Sequence, residues 1–297
     1  MNSSFLRGCG TALVTPFRAD GSVDEGALRR LVEWQIAEGV HFLVPCGSTG
    51  EAATLTLAEH RRVVEITVEV AAGRVPVVAG AGANDTARAI AISREMQAAG
   101  ATHLLHVSPM YNKPPQRGIV AHFRAIAEAV DLPIVVYNVP GRTACNVEAN
   151  TLLELADLPN VVGVKEASGN LAQIAEIIRQ RPPGFSVLSG DDLLTVPVMA
   201  LGGDGVISVA SNATPRAVAE LVDACAADDY AAARTIQRKL QPWMVAAFVE
   251  SNPIPVKAAL HMMGLVENVL RLPLVPLADR HVGVVRQALV SAGALPA

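Results

Sequence analysis

The sequence predicts an α/β fold, a (β/α)8 TIM barrel with a C-terminal helical domain. Three observations support this prediction. Short apolar runs alternate with longer segments of helical period over about three quarters of the 297 residues. There are eight such runs, and they are apolar on both faces, as buried parallel strands are. Beyond about residue 225 only helical patterns remain.

The predicted strands are short and rich in β-branched residues, and several end at glycine, hydroxyl or charged side chains. A barrel assembles its active site at these carboxyl ends, so the polar residues there are the first candidates for chemistry. In chain order the strands are 11–16 (TALVTP), 42–47 (FLVPCG), 76–80 (PVVAG), 103–108 (HLLHVS), 133–138 (PIVVYN), 161–166 (VVGVKE), 186–190 (SVLSG) and 205–209 (GVISV).

The segments between the strands are amphipathic and several carry helix caps. They open on Asp or Asn and close on Gly, which are the residues that satisfy free backbone groups at helix ends. The clearest of them are 24–39, 57–73, 85–100 and 170–184. These patterns predict one helix after each of the strands concerned.

We expect two domains, a catalytic barrel over 1–225 and a helical domain over 226–297 that lies as a small appendage behind the barrel. An open doubly wound sheet is the alternative, and dinucleotide binding would favour it. However, GAGAND has Asp85 where the third glycine of a GxGxxG turn belongs. The dinucleotide fingerprint therefore fails.

Composition excludes several classes of function. The formal charge is −4 with a pI near 6.0, and no basic stripe is interleaved with aromatic residues, so nucleic acid is not an expected partner. No apolar run is long enough to span a membrane, and the first residues do not resemble an export signal. We therefore expect a cytoplasmic protein whose four separated cysteines are reduced and mostly buried.

Lysine is rare, with four lysines among the 24 Lys and Arg residues, so each can be considered as an amine nucleophile. Lys113 lies in a polar loop, and Lys239 and Lys257 are predicted to face solvent. Only Lys165 ends a predicted buried strand. Burial favours its neutral amine, which can attack a ketone to form a Schiff base. Alternatively, Lys165 reaches the rim or pairs with Glu166, and the strand alone leaves both interpretations open.

Polar residues after neighbouring strands could complete a site around this amine. GSTGE offers backbone N–H groups and the hydroxyls of Ser48 and Thr49 to a small carboxylate, although such a segment is often a simple turn. Tyr111 and Tyr137 follow predicted strands and could relay protons, or could be ordinary half-buried tyrosines. Arg142 could bind a second carboxylate or lie at the surface.

Other polar residues are expected to be structural. His103 and His106 are three apart on one strand, so they point to opposite faces and cannot bind the same metal ion. Asp191 and Asp192 begin a helix, where a cap explains them without catalysis. The sequence therefore predicts neither a metal site nor a pair of catalytic carboxylates.

Taken together, these motifs resemble the dihydrodipicolinate synthase (4-hydroxy-tetrahydrodipicolinate synthase) family of pyruvate-dependent class I aldolases and lyases. The resemblance runs nearly end to end and implies a barrel with a C-terminal helical domain, assembled as a homotetramer of tight dimers, with no metal or organic cofactor. The motifs are TALVTPF, GSTGEAATL, VVAGAGAN, SPMYNKPPQ, LPIVVYNVPGRT, VVGVKEASGN, LSGDD, GVISV and NPIPVK.

The resemblance also implies a reaction, the condensation of pyruvate with L-aspartate-4-semialdehyde in lysine and diaminopimelate biosynthesis. Lys165 matches the lysine that forms the pyruvate Schiff base, and Tyr137 matches the phenol beside it. Ser48 and Tyr111 match the proton relay, and the tyrosine at Tyr111 reaches the neighbouring subunit's site in relatives.

The remaining matches concern substrate binding. Thr49 matches the residue that holds the pyruvate carboxylate, and Arg142 matches the arginine that binds the semialdehyde carboxylate, which sialic-acid lyases lack. Gly190 and Ile207 match backbone-lined positions around the pyruvate.

The sequence departs from the family at Ser48, where relatives usually have threonine. Serine keeps the hydroxyl but loses the rotamer restriction of a β-branched side chain, so we expect activity to survive. GSTGE also occurs in sugar-acid aldolases, so a 2-keto-3-deoxy sugar-acid aldolase with the same Schiff base is an alternative. A catalytically silent relative that binds pyruvate or a regulatory ligand is a second alternative.

A second departure concerns feedback inhibition by lysine. His60 and Asn84 match the lysine-binding site of many relatives, but Leu57, Arg88 and Met110 replace the histidine, glutamate and tyrosine of lysine-sensitive members. A cationic ligand beside Arg88 meets a like charge, which costs affinity. We therefore predict weak or absent inhibition by lysine.

Overall fold

Eight parallel strands form a closed barrel in the computed structural model, which describes residues 5–296. The strand order is β2-β1-β8-β7-β6-β5-β4-β3. A bridge between Leu43 and Val77 joins the two ends of this order, so the open-sheet alternative is wrong. The strands are β1 (Gly8–Ala12), β2 (Phe42–Val44), β3 (Val78–Gly80), β4 (His103–Val107), β5 (Ile134–Asn138), β6 (Val161–Glu166), β7 (Ser186–Ser189) and β8 (Gly205–Ser208).

Helices follow the strands on the outside of the barrel, and three predicted caps are confirmed. The side chains of Asp24, Asp85 and Asn170 each accept a backbone N–H at a helix start. The helices are α1 (Glu25–Ala37), α2 (Leu57–Ala71), α3 (Thr86–Ala98), α4 (Gln116–Ala127), α5 (Pro140–Thr143), α6 (Ala149–Ala156), α7 (Leu171–Gln180), α8 (Thr195–Ala200), α9 (Pro215–Ala226), α10 (Tyr230–Ala246), α11 (Ile254–Met262) and α12 (Asp279–Ala292).

Strand β1 lies earlier in the chain than predicted, whereas the other seven strands fall within their predicted spans. The prediction at 11–16 followed the apolar residues, but β1 begins at Gly8. A side chain at Gly10 could not be accommodated, because its Cβ would lie 2.0 Å from Cε2 of Phe42. Close packing therefore requires a glycine that weakens the apolar signal of the strand.

Apolar side chains form two layers. One cluster fills the inside of the barrel and includes Phe42, Leu105, Leu188 and Ile207. A larger cluster lies between the strands and the surrounding helices and continues into the C-terminal helices without interruption. The barrel interior is thus a packed core, and space for a ligand is confined to one end.

The sequence predicted that the C-terminal helices lie behind the barrel. In the structure, α10 also reaches the carboxyl ends of the strands. Trp243 of α10 donates from Nε1 to the carbonyl of Ala210, which follows β8, at 3.0 Å. Val245 of α10 and Phe248 just beyond it line the cavity at the carboxyl ends of the strands. The predicted boundary at residue 225 falls at the end of α9. Among residues 5–296, no helix is both long and apolar enough to cross a membrane.

Candidate active site

Lys165 lies at the carboxyl end of β6, where its side chain lines a cavity of about 420 Å³. It is only 5% exposed, and its Nζ lies 4.3 Å from the ring centroid of Tyr137, its neighbour on β5. No carboxylate of the described chain forms an ion pair with this amine. The structure therefore presents a buried, unpaired amine to an internal cavity.

Glu166 is not the partner of Lys165. Successive side chains on a strand point to opposite faces, and Glu166 faces outward toward α7. Its carboxylate accepts from Nδ2 of Asn138 at 3.1 Å, from Nε2 of Gln173 at 3.1 Å and from the backbone N–H of Ser168 at 2.7 Å. The alternatives in which Lys165 pairs with Glu166 or extends to the rim are therefore wrong.

Burial lowers the pKa of Lys165 from 10.5 to about 7. The negative charge of Asp192 opposes this effect, and the nearby Arg142 guanidinium adds to it. A substantial fraction of the amine is therefore neutral near pH 7, and the neutral form is the nucleophile.

Asp192 has a larger role than the helix cap expected from the sequence. Asp191 does act as a cap, because its side chain accepts the N–H of Leu193 at 2.9 Å. The buried Asp192 instead accepts Oγ–H of Ser208 at 2.5 Å and the N–H groups of Val209 and Ala210 at 3.0 Å each. Burial raises the pKa of Asp192, and these three hydrogen bonds oppose that rise. Asp192 joins the end of β7 to the end of β8, and its carboxylate acts on the pKa of Lys165.

The loop after β2 brings both predicted hydroxyl groups to the cavity. Thr49 is buried and Ser48 is exposed, and both line the cavity. Oγ1 of Thr49 accepts a hydrogen bond from Nδ2 of Asn252 at 2.9 Å. Asn252 lies between α10 and α11, and sequence reasoning missed it because the helical segment was expected behind the barrel.

Lys257 does not face solvent, so this prediction is wrong. Its side chain is 0% exposed, and Nζ lies 2.5 Å from Oε1 of Glu51 and donates to the carbonyl of Val269 at 2.8 Å. Burial lowers the pKa of Lys257 to about 8, and the charge of Glu51 opposes this effect. Helix α11 is buried on nearly every side, so it lacks the solvent-facing surface that the prediction assumed. Lys239 is exposed, as predicted.

Tyr137 and Arg142 lie beside the amine on β5 and on α5. Burial raises the pKa of Tyr137 to about 12, and the Arg142 charge partly offsets this rise. The phenol is therefore protonated near pH 7 and can act as a proton donor. Arg142 lines the same cavity, and its Nη2 donates to the backbone carbonyl of Asn252 at 3.2 Å.

The absence of a side chain at Gly190 leaves space for the side chain of Lys165. A Cβ at this position would lie 2.7 Å from Cβ of Ala167 and 3.1 Å from Cε of Lys165, so a larger residue would press on the amine. The side chain of Ile207 packs inside the barrel, and within residues 5–296 the cavity lining includes Val209 instead.

Tyr111 is not brought to the cavity of its own chain. It is 88% exposed, and its backbone has a φ of +74°, which non-glycine residues rarely adopt. The structure thus assembles six of the eight predicted side chains or backbone positions at the cavity, namely Lys165, Tyr137, Ser48, Thr49, Arg142 and Gly190.

A second cavity of about 600 Å³ adjoins the first. The two cavities share six lining residues, which include Ser48, Tyr137, Arg142 and Asn252. Glu51 is the only acidic residue that lines the second cavity within the described chain, and its carboxylate pairs with Lys257. The lining also includes the residues compared above with lysine-sensitive relatives: Leu57, His60, Asn84, Arg88 and Met110.

Known proteins resemble this chain over nearly its whole length. The model of the Dihydrodipicolinate synthetase family matches residues 5–292. The 4-hydroxy-tetrahydrodipicolinate synthase of Koribacter versatilis is 54% identical over 291 residues, covering 98% of this chain and 97% of the relative.

Solved structures agree with the same assignment. The dihydrodipicolinate synthase of Thermotoga maritima is 44% identical with a TM-score of 0.96, covering 98% of this chain and 100% of that one. The chloride-inhibited dihydrodipicolinate synthase of Acinetobacter baumannii, complexed with pyruvate, is 44% identical with a TM-score of 0.96, covering 97% and 99% of the two chains.

Proposed function

The chain belongs to the dihydrodipicolinate synthetase family, and we propose that it is a 4-hydroxy-tetrahydrodipicolinate synthase that condenses pyruvate with L-aspartate-4-semialdehyde. The observation that carries this proposal is the buried amine of Lys165, which has no carboxylate partner among residues 5–296 and a pKa of about 7. An amine in this state attacks ketones at neutral pH.

In the proposed first step, the Nζ lone pair of Lys165 attacks C2 of pyruvate. The resulting carbinolamine loses water and becomes a Schiff base. The hydroxyls of Thr49 and Ser48 lie across the same cavity and can hold the pyruvate carboxylate. Tyr137, whose pKa of about 12 keeps its phenol protonated, can donate the proton that the departing hydroxide needs.

Carbon–carbon bond formation follows from the same Schiff base. The protonated imine withdraws electrons, so the pyruvate methyl carbon loses a proton and becomes an enamine nucleophile. This carbon attacks the aldehyde of the semialdehyde, whose oxygen takes up a proton. Arg142, whose exposed side chain lines the cavity and carries a planar guanidinium, is suited to the semialdehyde carboxylate.

Ring closure releases the product and regenerates the amine. The amino group of the condensed substrate attacks C2 of the Schiff base, and the nitrogen of Lys165 leaves as an amine. The whole reaction joins one pyruvate to one semialdehyde and releases one water, so it needs no oxidant or reductant. Tyr137, Ser48 and Lys165 offer proton-transfer groups at the cavity, and the proposed mechanism uses no metal or organic cofactor.

We further propose a homotetramer built from tight dimers, located in the cytoplasm. The exposed Tyr111, held in an unfavourable backbone conformation, is suited to reach a partner subunit's cavity and act in its proton relay with Ser48. The cytoplasmic assignment is supported by four free cysteines, three of them buried, since cysteines in that compartment are kept reduced.

Borohydride reduction in the presence of pyruvate tests the proposal. We expect intact-mass measurement to show one reduced pyruvate adduct per chain, and peptide mapping to place it on Lys165. Turnover of L-aspartate-4-semialdehyde should then be measured by release of the heterocyclic product. An adduct without this turnover would indicate a sugar-acid aldolase, and no adduct would indicate a silent ligand-binding protein.

The acceptor is tested separately at Arg142. We expect Arg142→Ala to raise the KM for the semialdehyde about 100-fold, as loss of a charge-assisted bidentate contact does, while the pyruvate adduct still forms. Unchanged turnover with the semialdehyde would contradict the proposed acceptor.

A further inference from the structure

We propose that Asn252 is a positioning residue that orients the hydroxyl of Thr49 toward one substrate and the guanidinium of Arg142 toward the other. This inference rests on the proposed function and extends it to the C-terminal helical part of the chain. Asn252 is buried and lines both the 420 Å³ cavity and its 600 Å³ neighbour.

The contact with Thr49 sets the direction of a single proton. Nδ2 of Asn252 donates to Oγ1 of Thr49 at 2.9 Å, so this hydroxyl oxygen acts as an acceptor on that side. A threonine hydroxyl has one O–H to donate. With its oxygen already accepting from the amide, the O–H is free to point into the cavity and donate to a substrate carboxylate.

The backbone of the same residue fixes the arginine. Nη2 of Arg142 donates to the carbonyl oxygen of Asn252 at 3.2 Å. A guanidinium is planar and presents its N–H groups in a fixed fork, so holding one N–H defines where the others point. Asn252 therefore contacts the proposed pyruvate-binding group through its side chain and the proposed semialdehyde-binding group through its backbone.

A buried ion pair holds both sides of the contact between Thr49 and Asn252. Glu51 lies two residues after Thr49, and Lys257 lies five residues after Asn252. Their charged groups are 2.5 Å apart and fully buried. The backbone N–H of Arg271 also donates to Oε2 of Glu51 at 3.0 Å, so the carboxylate is held from two directions. The loop after β2 and the start of α11 are thus fixed relative to each other.

The position of Asn252 has an energetic cost that stability alone does not explain. Its Oδ1 is buried and has no hydrogen-bond partner in the described chain. Leaving a buried polar atom unpaired is destabilising. An apolar side chain would avoid that cost, so the amide is explained by the contact it makes with Thr49.

The first test compares Asn252→Ala with Asn252→Asp. Loss of the amide leaves the Thr49 hydroxyl free to rotate, so Asn252→Ala should raise the KM for pyruvate about 5- to 10-fold, in line with the loss of one hydrogen bond. The aspartate keeps the shape of the side chain but accepts the Thr49 proton and repels the substrate carboxylate. Asn252→Asp should therefore raise the KM further.

A double-mutant cycle separates positioning from a general loss of structure. In a Thr49→Val background, which removes the hydroxyl, Asn252→Ala should change the pyruvate KM by less than about twofold. Fully multiplicative effects of the two substitutions would overturn the inference. If the alanine variant fails to fold, the same cycle is measured with Asn252→Leu, which is nearly isosteric and adds no charge.

Asn160→Ala is the matched control. The Asn160 amide donates to the carbonyls of Ala127 and Val130 at 3.0 Å each, before the amino end of β6 and thus far from the cavity. This variant should lower Tm but leave both KM values unchanged.

The two hypotheses fail in different ways. If the wild-type protein forms no pyruvate adduct, the proposed function fails. If the wild-type adduct forms but the Asn252 variants keep wild-type KM values, the function stands and the role of Asn252 is rejected.

Discussion

Two buried lysines, Lys165 and Lys257, lie in similar surroundings but differ in their partners. Both are nearly inaccessible, both have a pKa lowered by burial, and both lie about 4 Å from an aromatic ring centroid, 4.3 Å for Tyr137 and 4.0 Å for Phe17. Only Lys257 has a carboxylate, that of Glu51, at 2.5 Å. Lys165 faces a cavity instead.

The comparison shows that burial alone does not make a lysine a nucleophile. A buried ammonium with a carboxylate and a carbonyl oxygen as acceptors remains charged and links parts of the structure, as Lys257 links α11 to the loop after β2. A buried amine without such acceptors loses its proton more readily and has an accessible lone pair. We therefore propose that the absence of a carboxylate partner at Lys165 is what suits this amine to act as the nucleophile.

The sharpest test of this comparison replaces the unpaired amine. Lys165→Arg keeps a cation but removes the nucleophile, because an arginine guanidinium is always protonated. We expect turnover to fall by about 10³-fold or more and the borohydride adduct to disappear. Lys239→Arg, at an exposed position, is the control and should retain both. Wild-type turnover in Lys165→Arg would refute the mechanism.

Removing the paired lysine should instead affect stability. Lys257→Met leaves the Glu51 carboxylate buried without its cation, and breaking a buried pair in this way costs about 3–5 kcal/mol. Chemical denaturation would measure this loss. The double variant Lys257→Met with Glu51→Gln should recover part of it, whereas no loss in the single variant would contradict the ion pair.

A methyl group added at Gly190 should press on Ala167 and Lys165 and leave Lys257 undisturbed. Gly190→Ala places a Cβ 3.1 Å from Cε of Lys165, so we expect adduct formation to slow about 10-fold and stability to fall by about 1–3 kcal/mol from overpacking. Rates of borohydride trapping would report the first effect and denaturation the second. A wild-type trapping rate would show that Lys165 moves freely in the cavity.

The pH dependence of trapping measures the state of the amine directly. The rate should rise with pH through an apparent pKa of about 7 and level off above it, since only the neutral amine reacts. The charge of Asp192 raises the pKa of Lys165, so Asp192→Asn should shift the profile toward lower pH. A shift toward higher pH would contradict this assignment of sign.

The smallest expected effect is the inhibition of turnover by free lysine, a cation that would bind in the second cavity. The cavity contains Arg88, and its acidic residue Glu51 already serves Lys257, so a lysine ammonium finds no free carboxylate among the described lining residues. We expect turnover to be unchanged by lysine at about millimolar concentration. Half-inhibition well below millimolar would defeat this prediction. Arg88→Glu should make turnover more sensitive to lysine, because it replaces a charge that repels the lysine ammonium by one that attracts it.

Local sequence patterns predicted most elements of the fold. Seven strands and the capped helices follow from patterns a few residues long, because alternation and capping are local effects. The start of β1 did not follow from such a local pattern, because Gly8 and Gly10 are required by packing against distant residues. Lys165, Tyr137, Thr49 and Arg142 were identifiable as polar residues after apolar runs.

The sequence by itself thus determined the order of strands and helices, and it singled out Lys165 as the candidate amine, because both depend on neighbours in the chain. Only the tertiary structure decided which charges are paired. It placed Glu51 against Lys257, Asp192 against Ser208 and Asn252 against Thr49. The residues in these contacts are 16 to 206 positions apart in the chain. Such pairings depend on how distant segments pack, and the pKa of a buried group depends on them.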